Sequence, residues 1–269
     1  MRLRSLISML ILGLTLFGLL YAQRRSRGFR EMFDEDGPVV TPPDAAEKTE
    51  FVFARLRFPS WRGGSSYWSA RGSWSVDYPK ADRQFVQGVR RLTRIHTRSV
   101  EQVVELDSDE IFNWPWIYAV EPGHWDLSDS QARKLREYLL RGGFLMSDDF
   151  HGSFEWDIFM ASMSRVFPDR PVVDLEDSDP IFHVLYDLDE RVQVPGIQMF
   201  WSGRTYEQDG VEPRWRGIYD DRGRLMVAIC HNMDLGDAWE WADHPRYPER
   251  YASLAYRIGI NYIIYAMTH

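Results

Sequence analysis

The run LMSDDFHG, residues 145–152, sets Ser147, Asp148, Asp149 and His151 between an apolar stretch and a glycine. Carboxylates and an imidazole gathered where a strand gives way to a helix can hold a divalent metal or move protons, since both groups are ligands and bases. The same residues also suit a structural role. Aspartates at such a junction accept backbone N–H bonds and match the positive end of a helix, and Gly152 permits the turn. Two acids and a histidine exceed what capping requires, which makes Asp148, Asp149 and His151 candidate catalytic residues.

A second constellation lies in HNMDLGDAWEWADH, with His231, Asn232, Asp234, Asp237, Glu240 and His244. If it meets the first, His231 joins Asp148 or Asp149 and His151 as a fourth catalytic candidate, in a mixed nitrogen–oxygen metal site or an acid–base pair. No tight spacing such as His-Glu-x-x-His fixes a metal, so its identity stays open, and a polar loop tied by Asx turns accounts for the same residues. Asp234 and Asp237 are candidate ligand-binding residues, together with Trp68 and Trp74. These tryptophans, with Trp61, alternate with Arg62, Gly63, Gly64 and Arg71, which suits stacking on a sugar or a partner protein. Core filling is the competing use, since the chain has 11 tryptophans. In DSDPIFH, Asp179-Pro180 opens a helix and His183 reads as a satisfied structural histidine.

The elements that must position these residues alternate in type. FVFARLRF, 51–58, alternates apolar and basic residues as a strand does. KADRQFVQGVRRLTRI has a helical period, with Ala81, Phe85, Val89 and Leu92 on one face. VVEL and WIYAV are short apolar strands, the second continuous enough to be buried. In LSDSQARKLREYLLRGG, Ser128 and Gln131 form a capping box and Gly142 stops the helix. FLMS is the next strand, Ser153 can start the following helix, and PVVDL is another strand. IYDDRGRLMVAIC is a hairpin turning near Asp221–Gly223, and RYASLAYRIGINYIIYAM is a terminal helix. This alternation predicts an α/β fold: a doubly wound, mainly parallel sheet with helices on both faces. Ligands in such sheets bind beyond the carboxyl ends of the strands, where residues 147–152 fall.

The 269 residues suffice for one large domain, expected over 51–269. A net charge of −8 is a poor match to a polyanion, which argues against a nucleic-acid partner. At the start, Arg2 and Arg4 precede an apolar run, Ser5 to Ala22, so residues 1–22 are a signal peptide or an N-terminal membrane anchor. Both place the domain outside the cytoplasm, in the periplasm or secreted, with membrane contact only through that segment if it is retained. Residues 23–50, rich in Pro, Asp and Glu, read as a disordered linker. The single cysteine, Cys230, forms no disulfide within the chain and reads as a small buried apolar group.

Four stretches carry a resemblance: YPKADRQFVQGVRRL, LREYLLRGGFLMSDDFHG, RVFPDRPVVDL and HNMDLGDAWEWADHPRYPERYASLAYRIGINYIIYAMTH. Together, across Phe51 to His269, they resemble the bacterial domain-of-unknown-function family DUF4159. The resemblance implies a fold and no established activity; it also implies gene neighbours of the von Willebrand and MoxR ATPase types, which favours an assembly role. YLLRGGFLMSDD, DSDPIFHVLYDLDE and GRLMVAICHNMDLGDAW are in turn similar, in the same order, to stretches of the ThuA-like branch of class I glutamine-amidotransferase-like folds, with their flavodoxin-like strand order. A glutaminase of that class needs a cysteine at its elbow. Here Ser147, Asp148 and Asp149 stand there, which rules against glutamine hydrolysis by a Cys-His pair. Two functions follow: a binding or assembly module of the cell envelope for a small polar ligand or a protein partner, or an enzyme using acid–base groups or a possible divalent metal on a small polar or carbohydrate-derived substrate.

Overall fold

A computed structural model describes residues 41–60 and 72–269. The N-terminal apolar segment, the linker as far as residue 40, and Trp61 and Trp68 lie outside the described residues. The chain divides into units 1–42 and 43–269, and the second is the α/β domain. The end of the expected linker belongs to this domain: Asp44 accepts from Ser99 and Arg90, and Glu50 accepts from the His96 N–H.

Seven strands form one sheet: β1 (Ala54–Arg57), β2 (Gln102–Glu105), β3 (Trp116–Val120), β4 (Phe144–Asp148), β5 (Val173–Asp174), β6 (Arg214–Tyr219) and β7 (Leu225–His231). Their order is β2-β1-β3-β4-β7-β6-β5. The first five in space are mutually parallel, and β6 and β5 continue the sheet antiparallel. The sheet is therefore mixed and mainly parallel, as the strand–helix alternation predicts. β3, β4 and β7 are buried at every position, as sheet centres covered on both faces must be. The stretch PVVDL pairs with β6 through Val173 and Asp174, and the Leu175 N–H donates to the Trp215 carbonyl.

Six α-helices are described: α1 (Lys80–Leu92), α2 (Asp129–Leu140), α3 (Gly152–Val166), α4 (Ile197–Trp201), α5 (Leu235–Glu240) and α6 (Glu249–Thr268). On one face, Leu135 and Leu139 of α2 and Phe159 and Met163 of α3 pack with Leu56, Ile117, Leu145 and Ile229. On the other, Phe85 of α1 and Trp239 of α5 meet Phe53, and Tyr262 and Tyr265 of α6 meet Phe144. Aromatic pairs of this kind contribute about 0.5–1.5 kcal/mol each beyond burial. α6 approaches closely only because Gly259 has no side chain: a Cβ there would lie 2.5 Å from the Phe85 ring.

Two local expectations change. Leu92 is 51% exposed, and the buried face of α1 is Ala81, Asp82, Phe85, Val86 and Val89. Asp82 is buried because it pairs with Arg55, itself wholly buried in β1, through Nε at 2.8–3.0 Å and through Nη2. α3 begins at Gly152 with His151 as its N-cap, one residue before Ser153. The capping box of Ser128 and Gln131 and the left-handed Gly142 are both present on α2.

Candidate functional site

The carboxyl ends of the parallel strands converge on one acidic centre. Asp148 ends β4, and its Oδ2 accepts from the Tyr118 hydroxyl at 2.9 Å and from the N–H groups of Leu235 and Gly236 at 2.9 and 3.0 Å. Asp148 therefore ties β3, β4 and the start of α5 together. Its Oδ1 is buried with no hydrogen-bond partner among the described residues. Burial raises its pKa to about 7, against the opposing effect of those donors.

Asp149 follows in left-handed backbone, φ 55°, and its N–H donates to the Met233 carbonyl. Its Oδ1 lies 3.1 Å from Nε2 of His151. Burial and the neighbouring Glu121 and Asp77 push its pKa well above the usual carboxylate range. Burial holds His151 down at about 4, so its ring is neutral at pH 7, and its Nδ1 has no partner among the described residues.

Asp234 follows β7 and caps α5, accepting from the Asp237 N–H at 2.7 Å. Asp237 in turn accepts from the Ile197 N–H at 2.7 Å, fixing the start of α4. Both carboxyls are pushed up, by burial first and then, for Asp234, by Asp149, Asp237 and Asp77. Asp234 and Asp237 thus belong to the same centre as Asp149.

Asp77 is one of the residues that sequence reasoning missed, with Glu121, His124 and Glu155. It comes from the loop between β1 and α1, which Arg55 pins by donating to the carbonyls of Trp74 and Val76 at 3.1 and 3.0 Å. Its φ is 58°, and its Oδ2 is buried with no partner among the described residues. Burial, then Asp237 and Glu240, raise its pKa well above normal, although Arg55 opposes them. That Oδ2 would lie 2.6 Å from a Cβ on Gly236, with Tyr118 Oη at 3.0 Å and Asp234 Oδ1 at 3.7 Å. Only a glycine there lets these oxygens approach the helix backbone so closely. One oxygen from each of Asp77, Asp149 and Asp234 lies within 4.8 Å of the other two. Two oxygens bound to one Ca²⁺ are at most about 5 Å apart, so these three can share a cation.

Beside this centre runs a second titratable chain. Glu121 follows β3 with φ 47°, and burial lifts its pKa to about 8. Glu155 is held below its ordinary value, although burial alone would raise it, because His124 and the His151 N–H donate to it. His124 lies 3.4 Å from Glu155, and that contact raises its pKa. Asp77, Glu121, Asp149 and Asn232 all adopt positive φ at non-glycine positions near the strand ends, a strain that concentrates at functional sites.

His231 meets the elbow at Phe150 and Gly152 and not at its carboxylates. Its Nε2 lies 3.1 Å from the Gly152 carbonyl, and its ring packs 4.9 Å from those of Phe150 and Trp156. It is not among the groups sharing ligand distance with Asp149. Burial lowers its pKa to about 4. Asn232 bridges the two constellations as well, accepting from the Gly152 N–H at 2.9 Å and donating to the Glu212 carbonyl. Trp74 is half-buried beside the core, with its ring 5.7 Å from Tyr78 and the Arg57 guanidinium over it. His183 bonds Asp187 and the Asp177 carbonyl, a structural arrangement. Cys230 is buried on β7 with its thiol pushed up by burial, and Ser147 is wholly buried, so neither is presented as a nucleophile.

Fold and site define an α/β domain with a buried acidic centre at the carboxyl ends of its parallel strands. The chain belongs to the DUF4159 family, a domain of unknown function, whose family model matches residues 53–267. No curated protein matches the chain.

Proposed function

We propose that this domain is a binding module that holds a divalent cation in the cradle of Asp77, Asp149 and Asp234. The observation that carries the reading is the convergence of these carboxylates from three different segments, within 4.8 Å of one another. Each is pushed strongly toward protonation, and the guanidinium that acts on Asp77, Arg55, is already engaged by Asp82. Like charges so placed are relieved by protons or by a cation. An all-oxygen set selects hard ions such as Mg²⁺, Mn²⁺ or Ca²⁺. The ligand is a small polar molecule or an envelope protein, and the N-terminal apolar segment supports an extracytoplasmic setting. Among the described residues no helix is long and apolar enough to cross a membrane.

The Asp149–His151 pair, with Glu121, His124 and Glu155 alongside, favours a second reading in which the same centre does acid–base chemistry on a small polar or carbohydrate-derived substrate. The strand order β2-β1-β3-β4-β7 supports the flavodoxin-like, amidotransferase-like likeness at the level of topology.

Titration of the full-length protein with Mn²⁺, Mg²⁺ and Ca²⁺ near pH 8 tests the cation reading. Saturating cation should raise the melting temperature by about 5–10 °C at a hundredfold excess over Kd. Asp149→Asn and Asp234→Asn should each weaken binding by at least about tenfold. No thermal shift and no heat of binding with any of the three ions would overturn it.

A further inference from the structure

The acidic centre extends beyond one cation's ligands. Asp77 also lies within 4.8 Å of Asp237 and Glu240, through one oxygen of each, so two carboxylate triads share Asp77. We infer that the centre is built for two divalent cations, with Asp77 as the bridging carboxylate, Asp149 and Asp234 on the inner cation, and Asp237 and Glu240 on the outer one. This rests on the cation reading above and extends it.

Three observations support the pair. Asp77 Oδ2 is buried without a donor among the described residues and packs closely against Gly236, while the wholly buried Asp148, bonded to that same Gly236 N–H, keeps Oδ1 unpartnered. A carboxylate bridging two ions uses both of its oxygens, which suits a side chain with an oxygen lacking protein donors. The charge also matches. Five ionised carboxylates against one divalent ion leave three negative charges in a poorly solvated space, and a second ion reduces this to one. Finally, burial is graded: Asp149 and Asp234 are buried, whereas Asp77, Asp237 and Glu240 are half-buried. The outer triad therefore reaches toward solvent and gives an ion a way in. Two ions sharing a carboxylate sit about 3.5–4 Å apart, within the span of a five-residue set of this size.

The alternative neutralisation is by protons. Asp237 stands close to the carboxyls of Asp234 and Glu240, so a proton held between two of them would relieve the same repulsion.

The test is equilibrium dialysis of the full-length protein against Mn²⁺ at pH 8, with electron paramagnetic resonance of the bound ion. Two Mn²⁺ per chain are expected, with the exchange-coupled spectrum of a close pair. Glu240→Gln, at a half-buried position, should leave one tightly held ion and an uncoupled spectrum. Asp237→Asn should do the same while still accepting from the Ile197 N–H, with circular dichroism confirming the fold of both. One Mn²⁺ per chain in the unaltered protein, held equally well by both variants, would overturn the pair and leave the single-cation reading standing. No bound Mn²⁺ at all would overturn the single-cation reading, and the pair with it.

Discussion

At the scale of single residues, Asp148 shows how burial turns a hydrogen-bonding group into a pH-sensitive one. It holds three donors on one oxygen and none on the other, and its pKa rises from 3.8 to about 7. The folded chain keeps this proton after the unfolded chain has released it. Stability is therefore greatest below the unfolded value and falls as pH climbs from about 4 to about 7. The whole shift corresponds to about 4 kcal/mol, of which about 2–3 kcal/mol falls between pH 5 and pH 8. Urea unfolding in chelator at those two pH values should show Asp148→Asn losing less stability than the unaltered protein by that amount. His151 and His231, both depressed to about 4, act in the opposite sense, with stability lost as pH falls below about 6.5. Both proteins carry those histidines, so the difference isolates Asp148. Parallel losses in the two proteins would show that the Asp148 proton has no part in stability.

Among the elements, short connections do most of the positioning. α5 presents two N–H groups to Asp148, and Arg55 holds the loop that delivers Asp77. Gly236 sits in the first turn of α5 against the cradle, and Gly236→Ala would put a Cβ 2.6 Å from Asp77 Oδ2. Asp77 must then turn aside. Alanine is the better helix former by about 1 kcal/mol, which offsets the crowding, so the melting temperature without metal should change by only a few degrees. Mn²⁺ affinity should fall at least about tenfold by calorimetry. Unchanged affinity in this variant would place the cation elsewhere. The elements were largely legible in the sequence. The capping box at Ser128, the hairpin before His231 and the continuous apolar run of β3 each carry a local signal strong enough to survive tertiary packing. Leu92 continued the apolar period of α1 and is nonetheless exposed, because the turn it occupies lies past the end of the packed face.

For the whole molecule, the site is a product of strand order. Asp148 and Asp149, and Asp234 and Asp237, were recognisable as acids at two strand ends. That the two ends are adjacent follows from the pairing of β4 with β7, which local sequence does not encode. Glu121 had a usable signal, since it directly follows a buried strand. Asp77 had none: it lies far along the loop after β1, in a segment whose tryptophans drew the reading toward stacking. His231 looked like a ligand because of its place at the end of β7, yet its ring turns to Phe150 and Trp156. The centre that results is all carboxylate, and its charge must be met by protons or metal. Crystals of the protein soaked in Mn²⁺ near pH 8 and measured for anomalous scattering decide between them. The account predicts a peak about 2.0–2.6 Å from oxygens of Asp77, Asp149 and Asp234. A map without a peak there, with Mn²⁺ absent or bound elsewhere, would contradict it.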